Sequence, residues 1–384
     1  MVRIMGFISF LVLIFLWPQI GTSGPLPKAT QKMLKEYKLD PSVLADLDKQ
    51  LNVPKEWIEK AKQEKKVKVR GSPATSRALK VLFAAFKERY PFIEPDYFGS
   101  NRQGRTIKTL MAYKTGRYLA DMVLSTGVFV KEFQKAGGIE NLSDLPAFKD
   151  VPAQLKDRNG KYVGINKNYW CMAYNTRLVK KEDLPQKWED FLTNPIWRNG
   201  NLALGNRPNL WAVNLWTAKG ESWVKDFLTR LFTELKPQLR KEGMNALTQL
   251  VAAGEFHAAI PSNYKRPYQI QQDGAPVSFN CPEPVPGSTE EAIILKGAPN
   301  LYSAKILMNW LLSKEGQIAQ YAHEFAAPLD EGLRPKLLPF ADQIIGKQEV
   351  FRDPRSMEEI MPKLFAFWND LWLKGGGKTR GRRR

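Results

Sequence analysis

The sequence is poor in the residues that most often do chemistry. Its 384 residues include only two histidines and two cysteines. Cys171, Cys281, His257 and His323 are scattered singly, without the paired spacing of a Cys/His zinc site. Acyl-transfer catalysis needs a histidine oriented by an acid beside a nucleophile. His257 instead lies in the strand-like run FHAAI and His323 in the helical run YAHEF, and no G-x-S-x-G elbow accompanies either. Both are read as structural. A P-loop, a G-x-G-x-x-G turn and an H-E-x-x-H helix are also missing. No enzyme is expected, and a hydrolase is the weakest of the readings kept. Beyond the N-terminus no long apolar run occurs, so the body is expected to be soluble. No cysteine near residue 23 offers a site for lipid attachment.

What is present begins with Arg3, an apolar run from Ile4 to Trp17, and small residues at Gly21, Thr22 and Ser23. This is the layout of a secretory signal peptide, placed at 1–23. The run falls short of the roughly 20 apolar residues that span a bilayer, and Pro18 interrupts its end. The remainder, about 360 residues, exceeds the usual size of one core and suggests two lobes. The formal charge of +19 is concentrated at one end. Residues 374–384, KGGGKTRGRRR, hold six cations and no anion, and without them and Arg3 the body carries +12. A Gly-rich basic end reads as a solvated, disordered tail with weak attraction to anionic membranes, not as a nucleic-acid-binding element. Export permits a disulfide between Cys171 and Cys281. Spacing does not show that their Cα atoms meet, so the default reading is two buried free thiols.

Helical patterning fills 28–66, with Val43, Leu44, Leu47 and Leu51 on one face and Trp57, Ile58 and Ala61 continuing it after Pro54. A strand at 67–70 breaks at Gly71-Ser72-Pro73 and gives way to a helix marked by Ala78, Leu82, Phe83 and Phe86. Further alternation predicts strands at 93–98, 119–124, 202–205 and 256–261, with helices at 209–235, 243–253, 300–313 and 314–323. Such alternation implies βαβ units and parallel sheets. Two extended stretches, 162–175 and 277–295, lie far apart in sequence and suggest a chain that crosses twice between lobes, a geometry that permits rigid-body rotation.

Four ordered segments carry a resemblance. They are KEWIEKAKQEKKVKVRGSP, CMAYNTRLVKKEDLPQKWEDFLTNPIWRNGNLAL, ALTQLVAAGEFHAAIPSNY and ILKGAPNLYSAKILMNWLLSKEGQ. Together they resemble the bacterial extracellular solute-binding proteins of ABC importers, in the branch containing the ferric-ion-binding proteins. The resemblance implies an α/β, two-lobed type II periplasmic binding fold with two hinge-crossing strands. Lobe one would comprise 66–165 and 285–345, and lobe two 166–284. A helical segment at 24–65 would precede them, and a helical region at 346–373 would follow. It also implies a periplasmic monomer without a cofactor, which takes a small-molecule ligand to an inner-membrane ABC permease. A sensory or partner-binding ectodomain is the alternative of another class.

Ferric binding in this branch uses adjacent tyrosines after an Asn. Here the place reads Ser262-Asn263-Tyr264-Lys265, so Tyr264 would be a ligand if iron were bound, and Lys265 stands where the second tyrosine would be. A protonated amine repels a cation and donates no lone pair. The branch's lobe-one acid would fall near Ser125, where no carboxylate is present. Iron therefore becomes the alternative to a small anion, either a carboxylate or a phosphorylated compound. Strand-to-helix turns offer N–H groups to anions. The candidates are Ser72, Thr75 and Ser76 at the first turn, Asn101 and Arg102 at the second, and Asn206, Arg207 and Asn209 at the third. Asn263, Tyr264 and Lys265 form the fourth, with Arg266 behind them. Ser125 and the aromatic Tyr174 complete the set, and Trp211 is read as packing.

Overall fold

A computed structural model gives the fold and describes residues 26–338, 340–352 and 356–377. The signal-peptide reading of 1–23 and the last seven residues of the basic tail lie outside the described residues. No helix among the described residues is long and apolar enough to cross a membrane.

Ten strands are described: β1 Lys66–Gly71, β2 Glu94–Gly99, β3 Met122–Val123, β4 Val163–Asn175, β5 Leu202–Gly205, β6 Gln238–Arg240, β7 Ala258–Asn263, β8 Val277–Asn280, β9 Val285–Ile294 and β10 Glu349–Phe351. Their order is β2-β1-β3-β9-β4-β7-β5-β6, with β8 on β4 and β10 on β9. In the first lobe β1 runs parallel to β2 and β3, and β9 closes against β3 antiparallel. In the second lobe β5 runs parallel to β6 and β7, while β4 lies antiparallel to β7 and β8. β4 and β9 belong to both lobes. They pair antiparallel from Val163↔Ala292 to Tyr169↔Gly287, so the two crossings are hydrogen-bonded to each other.

Most elements fall where their periodicity predicts, and the differences have local causes. The 277–295 stretch divides into β8 and β9 around Pro282 and Pro284. Gly220, at φ 87°, splits the 209–235 segment into Pro208–Lys219 and Glu221–Arg230. The 119–124 strand shrinks to β3. The three-residue edge strands β6 and β10 are too short to show a period.

The N-terminal helices, including Lys28–Glu36 and Lys55–Glu64, bury Met33, Leu34, Trp57 and Ala61 in the same core as Val67, Phe86, Leu307 and Trp310 of the first lobe. A single carboxylate knits this region. The fully buried Glu315 accepts from Thr30 Oγ1 at 2.6 Å, Trp310 Nε1 at 2.7 Å, and Arg89 Nε and Nη2 at 2.8 and 2.9 Å. The second lobe has its own core around Trp188, Trp197 and Trp211, and the C-terminal helix Ser356–Lys374 presses Leu364, Trp368 and Trp372 into it.

Cys171 and Cys281 form a disulfide with Cα atoms 4.4 Å apart, which corrects the reading of two free thiols. The register explains it. β4 and β8 pair Met172 with Asn280, and this brings the flanking cysteines side by side across 110 residues of sequence.

Two stability measurements follow. Glu315→Ala leaves the largely enclosed Arg89 without its counter-charge and should cost about 3–5 kcal/mol in urea unfolding; a loss below about 1 kcal/mol would show that Glu315 does not hold the helices together. Replacing both cysteines by alanine should cost about 2–5 kcal/mol, because it frees a long loop in the unfolded chain. Equal stability of the oxidised protein and this double variant would rule that out.

Candidate functional site

Between the lobes lies a cleft of about 600 Å³. Its first wall is built at the carboxyl ends of β1 to β3, where open α/β sheets place ligands. Ser72 follows β1, Arg102 and Arg105 follow β2, and Ser125 and Gly127 follow β3. Gly127 turns the chain at φ 58°, a conformation that favours glycine. Ser72 Oγ lies 3.2 Å from Ser125 Oγ, and Ser125 Oγ donates to Glu290. The Arg105 guanidinium is fixed by Ser125 O at 3.1 Å and Ser100 O at 2.9 Å.

The floor is the crossing itself. Asn168 and Trp170 of β4 and Ser288 to Glu291 of β9 line it. The ladder there is bulged: Gly164 faces Glu291 and Lys167 faces Thr289, so Ile165 and Asn166 together stand opposite Glu290. Asn166 Nδ2 donates to Glu290 Oε2 at 3.0 Å, and so the bulge holds that carboxylate in place.

The second wall comes from helix starts. Asn209 opens Pro208–Lys219, Met244 and Asn245 open Met244–Ala253, and Lys265, Arg266 and Gln269 lie on Lys265–Gln272. Asn263 accepts from the Lys265 backbone N–H at 2.8 Å. Opposite, the helix Lys314–Glu324 ends at the rim with His323, Glu324 and then Phe325. Lys265 Nζ bonds Glu324 at 2.8 Å across the cleft. Against partial desolvation of this half-exposed carboxyl, the Lys265 ammonium holds Glu324 below the usual carboxylate range. His323 Nδ1 lies 2.9 Å from Ala78 O. Finally, Arg352, Met357 and Met361 enter from the C-terminal region.

The charges are unequally matched. Arg102, Arg105, Lys265, Arg266 and Arg352 line the cleft beside Glu290, Glu291 and Glu324. Burial raises the Glu291 carboxyl against the pull of Arg352. Burial, then the neighbouring charge of Arg102, lowers the Arg105 guanidinium. Buried donors also lack protein partners at Trp170 Nε1, Arg266 Nε and Arg352 Nε. All three are donor-only groups.

Of the sequence candidates, Ser72, Arg102, Ser125, Asn209, Asn263, Lys265 and Arg266 line the cleft. The others stand elsewhere. Thr75 caps its helix by accepting from the Ala78 N–H at 3.2 Å, and Ser76 is exposed behind it. Asn101 likewise caps the Gly104 N–H at 2.9 Å. Asn206 accepts from Trp368 Nε1 at 2.8 Å, and Arg207, beside it, is outside the lining. Tyr174 is buried in the second lobe's core. Tyr264 is fully enclosed, its ring 4.9 Å from Phe340 and its hydroxyl donating to Phe325 O at 2.5 Å. Trp211 stacks on Trp188 as packing. Sequence reasoning missed Arg105, one turn beyond Arg102, and the floor residues, whose facing depends on the bulge. It also missed Arg352, which no motif marks.

Comparison with known proteins agrees with this geometry. The family described as bacterial extracellular solute-binding protein matches residues 118–349. A candidate 2-aminoethylphosphonate-binding periplasmic protein of Salmonella typhi is 25% identical over 232 residues, 56% of this chain and 64% of the relative. The chain thus spans less than two thirds of that relative's length. Iron-bound HitA from Pseudomonas aeruginosa superposes with a TM-score of 0.64 at 18% identity, covering 80% of this chain and 99% of HitA. An ABC transporter substrate-binding protein from Bradyrhizobium japonicum gives 0.61 at 19% identity, covering 79% and 99%. At such identities the likeness concerns the fold, which is the two-lobed type II periplasmic binding fold. With more than half of its length matched, the chain belongs to the bacterial extracellular solute-binding proteins.

Proposed function

We propose that this protein is the solute-capturing component of an ABC importer. On this reading it is exported to the periplasm and acts as a monomer without a cofactor. It closes its lobes on a small anion and delivers it to an inner-membrane permease. The observation that carries the anionic ligand is the convergence of Arg102, Arg105, Arg266 and Arg352, none of them ion-paired within 4.0 Å to a carboxylate among the described residues. Guanidinium groups match carboxylate and phosphate oxygens in bidentate geometry. The buried donors at Trp170, Arg266 and Arg352 ask for acceptors, and an anion supplies several at once. A cleft of about 600 Å³ suits one small molecule. The Salmonella relative's name supports a phosphonate or phosphate group within this class. Ferric ion is the competing cargo, favoured by the fold neighbours. Against it, the Tyr264 hydroxyl is committed to a backbone carbonyl, and burial pushes its ionisation well above the ordinary range.

Thermal unfolding with a panel of carboxylates, phosphate esters, inorganic phosphate and 2-aminoethylphosphonate should show stabilisation by at least one, because a ligand bound only to the native state raises Tm. Stabilisation by Fe³⁺ alone, with a tyrosinate-to-iron absorption band, would replace the anion with iron. Lys265→Ala should weaken the stabilising anion by about 1–3 kcal/mol in calorimetry, the range of one charge-assisted hydrogen bond. Unchanged affinity would remove Lys265 from the ligand site.

A further inference from the structure

The family match ends at residue 349, yet the cleft takes three side chains from beyond it: Arg352, Met357 and Met361. They arrive on a segment that touches every part of the site. β10 adds to the hinge strand β9, pairing Glu349 with Val285 and Phe351 with Gly287. Arg352 follows directly and donates from Nη1 to Asn209 O at 3.3 Å, on the second wall. The helix Ser356–Lys374 is anchored on the second lobe by Leu364, Trp368 and Trp372, whereas Glu358 at its start bonds Lys131 of the first lobe at 2.8 Å. These described residues thus reach the hinge strand, the second wall and the first lobe.

Arg352 is placed for more than scaffolding. Its Nε is buried without a protein partner. It forms no ion pair within 4.0 Å among the described residues, and Glu291 is the acid whose charge acts on it. Burial, and then the charge of Arg102 on the first lobe, weaken the hold of Arg352 on its proton. A guanidinium enclosed by protein, with a donor unspent and a like charge nearby, is costly unless an anion joins it. Met357 and Met361 beside it offer a pliable apolar cover.

We infer that Arg352, Met357 and Met361 form a specificity-determining strap of the ligand site. In it Arg352 binds the ligand's anionic group together with Arg102, and the two methionines cover its apolar part. This rests on the anionic reading above and adds which residues read the anion.

Calorimetry with inorganic phosphate, 2-aminoethylphosphonate and the carboxylate panel tests it on the full-length protein and on Arg352→Gln and Arg352→Lys. Arg352→Gln should weaken whichever anion the parent binds by roughly 10- to 100-fold, and Arg352→Lys, which keeps the charge but loses the fork, by less. Hydrogen exchange in peptides covering 349–361 should slow when the anion is added to the parent and not when it is added to Arg352→Gln. Parent-like affinity in an Arg352→Gln variant with unchanged circular dichroism overturns the strap's role and leaves the anionic reading intact. Absence of binding to every anion by the parent overturns both.

Discussion

The antiparallel pairing of β4 with β9 is the constraint on which the architecture depends. Each strand is the last member of one lobe's sheet and a member of the other's, and they meet from Val163↔Ala292 to Tyr169↔Gly287. Backbone hydrogen bonds leave such a ladder stiff along its length, but it can twist about it. The ring cluster of Tyr169, Tyr264, Phe279 and Phe340, with centroids 4.9–6.0 Å apart, packs beside this crossing. Tyr264 is explained in this way. At the position where the ferric branch spends a tyrosine on metal, this chain buries the ring at the pivot and gives its hydroxyl a carbonyl partner.

The bulge opposite Glu290 connects this backbone constraint with the chemistry of the cleft. The extra residue of the bulge lies in β4, where it brings Asn166 to Glu290, and Ser288 to Glu291 of β9 line the cleft. Two carboxylates are thereby placed among guanidinium groups. Glu290 is held by Ser125 and Asn166, Glu324 by Lys265, and Glu291 is disfavoured as an anion by its burial. The acids are thus spent on the protein's own donors or weakened, and the arginines keep an unspent capacity for acceptors.

How much of this could be read from the sequence follows the range of the interactions. Val67, Phe86 and Leu204 announced their elements because a strand or helix repeats within a few residues. The turns after β1, β2, β5 and β7 were likewise visible, and Ser72, Arg102, Asn209 and Lys265 came with them. Thr75 and Asn101 are the complementary failure. Polar residues at helix starts serve both anions and caps, and here the caps prevail. The disulfide, the bulge and Arg352 depend on registers set between segments more than 60 residues apart. Local pattern carries no record of such registers.

Each lobe is locked firmly within itself. Glu315 gathers four hydrogen bonds inside the first, and a disulfide and stacked indoles secure the second. Across the cleft the ion pairs are Lys265–Glu324 and Lys131–Glu358, whose acids are 44% and 60% exposed. Exposed pairs contribute on the order of 0–1 kcal/mol each, whereas breaking a buried pair costs about 3–5 kcal/mol. A rotation about the β4–β9 crossing would give up these weak ion pairs, while the buried ring cluster of Tyr264, Phe279 and Phe340, which also joins the lobes, lies beside the axis. A ligand that bridges the arginines of both walls needs to contribute only a modest differential affinity to select the closed arrangement. The same imbalance gives the C-terminal strap its importance: joined to the hinge by β10 and to both lobes by its ends, it is the element whose contacts any such rotation must change.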